Sequence, residues 1–257
     1  MILNVQLIEC GPTAALNAYR RHLNPERIDG LRYARTFLTA ELRRGILPSL
    51  AVTGAVLLTG WDDQECVDRF RDHPVARRFS GGYEVSLLPA RSIGLLPGLP
   101  ELPRREIQIP DGSPVAACTV GRVKASRFLP FLKAAAAAER EAAAHPGILD
   151  GISILRPPLV IGTFSLWRNV ASMRDYVMGS YPGGHSRAVQ ADRREGFNSE
   201  MFFSRQIPLA ASGTWRGRDP LAGLISSASV NGYAVSESTV AISGRHDAAV
   251  HANGRPS

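Results

Sequence analysis

One pattern occurs twice in this chain, more than 100 residues apart, and it restricts the fold more than any other feature. RIDGLRYARTF, which contains Asp29 and Gly30, is matched by ILDGISILRPP, which contains Asp150 and Gly151. AVLLTGW and LVIGTFSLW follow and end in Trp61 and Trp167. Nine residues beyond each tryptophan stands an aromatic, Phe70 or Tyr176. Solenoid units repeat every 20 to 50 residues or so, and a longer period denotes a whole domain duplicated within one chain.

Each copy has the same order of elements. ILNVQLIE reads as a strand, and TAALNAYRRHL as a helix, with Leu16, Tyr19 and Leu23 at spacings of three and four. RIDGLRYARTF and AVLLTGW have the branched and apolar content of strands. DDQECVDRFRDHPVARRF reads as a helix with Asp62 or Asp63 as its N-cap, and GGYEVSLLPARSI as a closing strand. In the second copy VAACTVGRVK is a strand and SRFLPFLKAAAAAEREAAAH a helix whose alanine run expresses helix propensity.

The order strand, helix, strand, strand, helix, strand is that of a ferredoxin-like unit. The expected fold is α+β, with two tandem ferredoxin-like repeats packed sheet to sheet. A four-stranded sheet with helices on one face leaves the other bare. Pairing two bare faces buries both in a barrel, and a ligand cavity is expected between them. The expected boundaries are 1–94 for the first unit, 95–113 for a proline-rich linker and 114–221 for the second unit. Residues 222–257, rich in Ser, Ala, Gly and Val, read as a mobile tail holding His246 and His251.

Composition narrows the function classes. The chain has 257 residues, 44% apolar and 21% charged, which suits packed domains rather than disorder. It has no run of about 18 uncharged apolar residues, and its beginning lacks a secretory pattern, so a cytoplasmic location is expected. Cys10, Cys66 and Cys118 are too scattered for a disulfide framework or a thiolate zinc site and read as reduced core residues. The 30 Lys and Arg against 23 Asp and Glu leave a charge of +7, compatible with anionic lipid or an anionic cofactor. Stacking aromatics are not interleaved with the basic residues, so nucleic acid is not an expected partner. No P-loop and no GxGxxG after a strand occurs.

Three runs in the second half, TFSLWRNVASMRDYV, PGGHSRAVQADRREGFNSEMFFSRQIP and SGTWRGRDPL, resemble in order and spacing the spheroidene monooxygenase family of carotenoid biosynthesis. The first half agrees more loosely, through Trp61, Asp62 and PVARRFSGGYEVSLLPAR. The likeness covers most of residues 1–221 and is specific from about 163 to 221. It implies a dimeric α/β barrel, a heme cofactor with its iron, and oxygen-dependent oxidation of a carotenoid to a keto product. The implied partners are an apolar small-molecule substrate, dioxygen and an electron donor. An insert at about 38–53 and the polar tail depart from the family pattern and bear on the substrate more than on the fold.

His185 follows Pro182, Gly183 and Gly184 and opens SRAVQADRR, which reads as a helix. Within the resemblance it is the candidate axial ligand of the heme iron, since imidazole is the commonest protein ligand there. Arg187, Arg193 and Arg194 are candidates for the heme propionates or, alternatively, solvated helix charges. His73, in RDHPVARR, is the competing ligand, although Pro74 disfavours a helix there. His22 and His145 fall at helix ends, where charge compensation accounts for them. Trp61, Trp167 and Trp215 read as core or as the lining of a polyene site. The leading expectation is a heme-dependent monooxygenase acting on a carotenoid or another long apolar molecule. The alternatives are a dehydratase-like heme enzyme with a small nitrogenous substrate and a non-catalytic heme-binding module. A lipid-soluble substrate and positive charge add the expectation of peripheral membrane contact.

Overall fold

The first half runs β1 (Ile2–Glu9), α1 (Pro12–Tyr19), β2 (Leu31–Glu41), β3 (Gly54–Trp61), α2 (Gln64–Phe70) and β4 (Tyr83–Gly94). After the short β5 (Glu106–Ile107), the second half runs β6 (Val115–Val123), α3 (Phe128–Ala144), β7 (Ile148–Arg156) and β8 (Val160–Trp167). Then come α4 (Val170–Met178), α5 (Gly184–Glu195), β9 (Asn198–Gly213) and β10 (Val235–Ser236). The computed structural model describes residues 1–42, 51–94, 106–178, 183–225 and 235–236, with the backbone alone at 106, 184, 185, 235 and 236.

Eight antiparallel strands close into a barrel in the order β1-β3-β2-β7-β8-β6-β9-β4. Each half contributes four adjacent strands in the same internal order: its second, third, first and last. The seams are β2 against β7 and β4 against β9. A barrel of eight strands is just wide enough for side chains to fill. That is what happens here: Leu3, Val5, Leu7, Phe37, Val85, Leu87, Cys118, Ile152, Phe164 and Phe202 belong to one buried cluster.

Trp215 and Leu221, from the run SGTWRGRDPL, complete that cluster. The Trp215 ring stacks on Phe164 at 6.3 Å and tilts against Tyr83 at 5.9 Å. The ligand cavity expected between the two sheets is therefore occupied by a side-chain core. The cause is the size of the inward residues together with the tryptophan inserted at one end.

The outer faces are covered by helices. In the first half Ala15, Leu31, Leu57, Trp61, Val67 and Phe70 pack together under α1 and α2. Asp63 is the N-cap of α2, its Oδ1 accepting from Cys66 N at 2.9 Å, in keeping with the expectation of Asp62 or Asp63. Gly30 has φ +72°, and a Cβ there would meet Cys66 Sγ at 2.3 Å, which explains glycine at this position. In the second half Val115, Trp167, Val170, Met173 and Ile207 pack with Ile107 and Ile109.

Several elements differ from the sequence expectations. Helix α1 ends at Tyr19 rather than reaching Leu23. The 16-residue β9 extends through a run that had been noted only as a motif. Within the linker interval β5 pairs with β10 of the tail interval, Val235 opposite Ile107. Residues 43–50 of the insert, 95–105 of the linker and most of the tail, including His246 and His251, lie outside the described residues. Among the described residues no helix is long and apolar enough to cross a membrane.

Candidate functional site

The two halves fill their outer faces differently. Ile2 lies opposite Trp61 just as Val115 lies opposite Trp167, so positions correspond one to one. Asn4, Gln6, Ala55 and Leu57 of the first half are all buried. Their counterparts Ala117, Thr119, Ile161 and Thr163 are half-exposed. The exchanges of Asn4 for Ala117, Gln6 for Thr119 and Leu57 for Thr163 reduce side-chain volume. The strip stays partly open although α3 has 17 residues where α1 has 8.

Helix α3 packs on β7, α4 packs on β8, and α5 packs on α3. Ser153 Oγ donates to the buried Glu139 carboxylate at 3.0 Å, fixing α3 on β7. Arg187 Nη2 on α5 donates to Glu141 Oε1 of α3 at 3.3 Å, so this guanidinium already holds a carboxylate at the junction. The N-cap of α5, Gly183, has φ +89°, a left-handed conformation that lets the chain enter the helix abruptly. His185 lies in the first turn of α5, and its side chain is outside what is described. Arg193 and Arg194 are exposed in the last turn, and Arg194 pairs with Glu195 at 3.4 Å.

His73 and His145 have structural occupations. His73 Nδ1 accepts from Val75 N at 3.2 Å, and its ring stacks on Phe70 at 5.1 Å. His145, buried at the end of α3, accepts from Gly147 N at 3.0 Å and lies 3.3 Å from Asp175 Oδ2. His22 is exposed beyond the end of α1. Among the described residues no group of three or more His, Cys, Asp and Glu is arranged to hold a metal ion. The three cysteines are free thiols, and burial pushes the Cys118 thiol up to about 12. Trp61, Trp167 and Trp215 are all core residues.

A second place, not anticipated, is a cleft of about 620 Å³ at the rim near Trp215. Glu41 of β2 and Leu42 just after it, His145 and Pro146 after α3, Asp150 of β7, and Arg216 and Arg218 line it. Asp150 is buried and takes Arg216 Nη1 at 2.6 Å, Arg218 Nη2 at 3.1 Å and Gly151 N at 2.8 Å. Burial pushes its carboxyl above the usual carboxylate range, against the pull of the two guanidiniums. Arg218 also donates to the Leu149 carbonyl, and Arg216 N donates to Glu9 Oε2 at 2.9 Å. The sequence signal was present in two parts, the repeated Asp-Gly and the Arg-Gly-Arg after Trp215, with nothing to connect them.

No family model matches the chain. Curated relatives do. The chain is 29% identical to the spheroidene monooxygenase of Rubrivivax gelatinosus over 228 residues, 84% of this chain and 86% of that one. It is 29% identical to the Rhodobacter capsulatus protein of the same name over 160 residues, 60% of this chain and 66% of the relative. The third, from Cereibacter sphaeroides, is 27% identical over 175 residues, 64% of this chain, and the match spans 52% of the relative's length. Among solved structures an aldoxime dehydratase is 12% identical, with 80% of each chain covered and a TM-score of 0.46. A Fusobacterium nucleatum protein described as a putative monooxygenase is 10% identical over 83% of this chain and 94% of that one, with a TM-score of 0.37. At these scores the likeness carries no argument. What the barrel defines by itself is a mixed α/β protein with an eight-stranded antiparallel core. By sequence, the chain is similar to the spheroidene monooxygenases of these three bacteria.

Proposed function

We propose that this protein is a heme-dependent monooxygenase that oxidises a carotenoid or another long apolar molecule. The names of its sequence relatives support the reaction class. The strand order shared by both halves supports reading them as tandem ferredoxin-like repeats, 1–94 and 114–221.

The observation that carries this reading is the asymmetry of the outer faces. Where the first half plugs its sheet with Asn4, Gln6 and Leu57, the second leaves Ala117, Thr119 and Thr163 half-exposed, and in that half α5 packs on α3. Small side chains on the sheet would leave room for a flat macrocycle, and the family likeness offers His185, at the start of α5, as its donor. His185 would hold the heme iron. Arg187, which already binds the Glu141 carboxylate, has the chemistry to take a propionate. Heme, when bound, supplies the activation of dioxygen; the chain orients the apolar substrate and keeps water from the reacting carbon.

The test is turnover of the heme-loaded protein with a detergent-solubilised carotenoid, a reductant and labelled dioxygen. The proposal expects a hydroxylated or keto product that carries oxygen from dioxygen. Turnover of a small aldoxime without dioxygen, and none of the carotenoid, would move the protein to the dehydratase-like reading.

A further inference from the structure

We infer that the barrel end formed by the close of β4 and β6 and the start of β9 is a docking surface for an anionic lipid bilayer. Strand register brings this end together: Val123 lies opposite Asn198, Gly121 opposite Met201, and Ile93 opposite Phe203. The start of α3 is fastened to it, because Lys124 N donates to Phe197 O at 2.9 Å and the rings of Phe131 and Phe197 meet edge to face at 6.3 Å.

Ile93 is 54% exposed, Leu129 74% and Met201 44%, and these are three of the six large apolar side chains exposed among the described residues. Scattered singly they would need no explanation; gathered at one end they do. The charge around them is positive. Residues 122–127 and 192–201 hold five cations, Arg122, Lys124, Arg127, Arg193 and Arg194, against three acids, Asp192, Glu195 and Glu200. The acids are engaged locally: Asp192 accepts from Phe197 N at 3.0 Å, Glu195 pairs with Arg194 at 3.4 Å, and Glu200 pairs with Arg122 at 3.0 Å. Lys124 and Arg127 are exposed beside Leu129.

Apolar tips ringed by cations match a bilayer surface, where aliphatic groups enter below the headgroups and Lys and Arg meet anionic lipid. The same charge pattern without the apolar tips would suit any polyanion. The tips choose the lipid. The inference does not depend on the cofactor, and its test uses the full chain with and without heme.

The experiment is cosedimentation with vesicles of phosphatidylcholine alone or mixed with phosphatidylglycerol, at low and high salt. Binding is expected to the mixed vesicles, weakened but not abolished by salt. Lys124→Glu with Arg127→Glu, and Leu129→Glu with Met201→Glu, are each expected to lower the partition coefficient roughly tenfold or more. Arg77→Glu with Arg78→Glu reverses as much charge near the opposite end, before Tyr83, and is expected to leave most binding intact. Leu129→Trp, at an exposed site, reads contact directly, through a blue shift on vesicle addition and quenching by brominated lipid. The inference is overturned if the natural chain does not bind mixed vesicles at low salt, if both charge reversals weaken binding equally, or if the Leu129→Trp emission does not move.

Discussion

The Arg216 guanidinium donates to the buried carboxylate of Asp150 at 2.6 Å, joining segments 66 residues apart. Arg218 adds a second contact at 3.1 Å, and Trp215, whose ring lies 5.9 Å from the Arg216 guanidinium carbon, is packed in the barrel core. The pair therefore acts as a latch that holds the tryptophan plug. Replacing both arginines by glutamine leaves a carboxylate buried without a cation, which costs about 3–5 kcal/mol. Urea unfolding of Arg216→Gln/Arg218→Gln is expected to show that loss, and adding Asp150→Asn should restore much of it. An unchanged urea midpoint in the double variant would mean the latch contributes nothing.

The same carboxyl makes stability depend on pH. Burial raises its value in the folded chain above the usual carboxylate range, so the native state binds this proton more tightly than the unfolded chain does. Its contribution is greatest below the unfolded value and is lost as pH rises through the folded one. In Asp150→Asn this loss of stability, which sets in near pH 4 as the pH is raised, is expected to vanish, as measured by urea midpoints from pH 4 upward.

Trp167 stacks on Tyr176 with ring centroids 5.1 Å apart, as Trp61 meets Phe70 at 4.9 Å in the other half. The Tyr176 hydroxyl donates to the Ala138 carbonyl at 3.0 Å, a bond its counterpart lacks. Tyr176→Phe keeps the ring and removes the bond, and a loss of about 1 kcal/mol is expected by chemical denaturation.

Cys118 is buried inside the barrel, and its thiol is pushed up to about 12 by desolvation. It should resist alkylation in the native protein at mildly basic pH, where an ordinary thiol near 8.5 is already partly thiolate. Mass spectrometry after brief iodoacetamide treatment should find Cys118 unmodified until denaturant is added.

The duplicated Trp pairs were legible because each tryptophan carries its own local partner. Trp61 Nε1 donates to Thr59 and Trp167 Nε1 to Ser165, two residues earlier in both cases, so the whole arrangement lies within one stretch of sequence. The Asp150 latch was not legible, because its partners come together only through the fold. Strand β9 escaped for a different reason. Its inward side holds Ser204, bonded to Ser92 at 3.0 Å, and the buried Gln206, so apolar alternation fails where the barrel is polar inside. The filled barrel interior depends on a tryptophan that arrives after the last strand, and no periodicity announces it. His185 was visible only through the family likeness, since a lone histidine after two glycines carries little signal of its own.

The proposed function requires that the second half hold a heme through His185. The most direct measurement is heme titration of the purified apoprotein, followed by its Soret band and the electron-paramagnetic spectrum of the ferric state. The natural chain and His73→Ala are expected to bind one heme with the same histidine-ligated spectrum, while His185→Ala should bind weakly or give a shifted spectrum that exogenous imidazole restores. An unaltered spectrum in His185→Ala, with its loss in His73→Ala, would contradict the claim and put the heme on the first half.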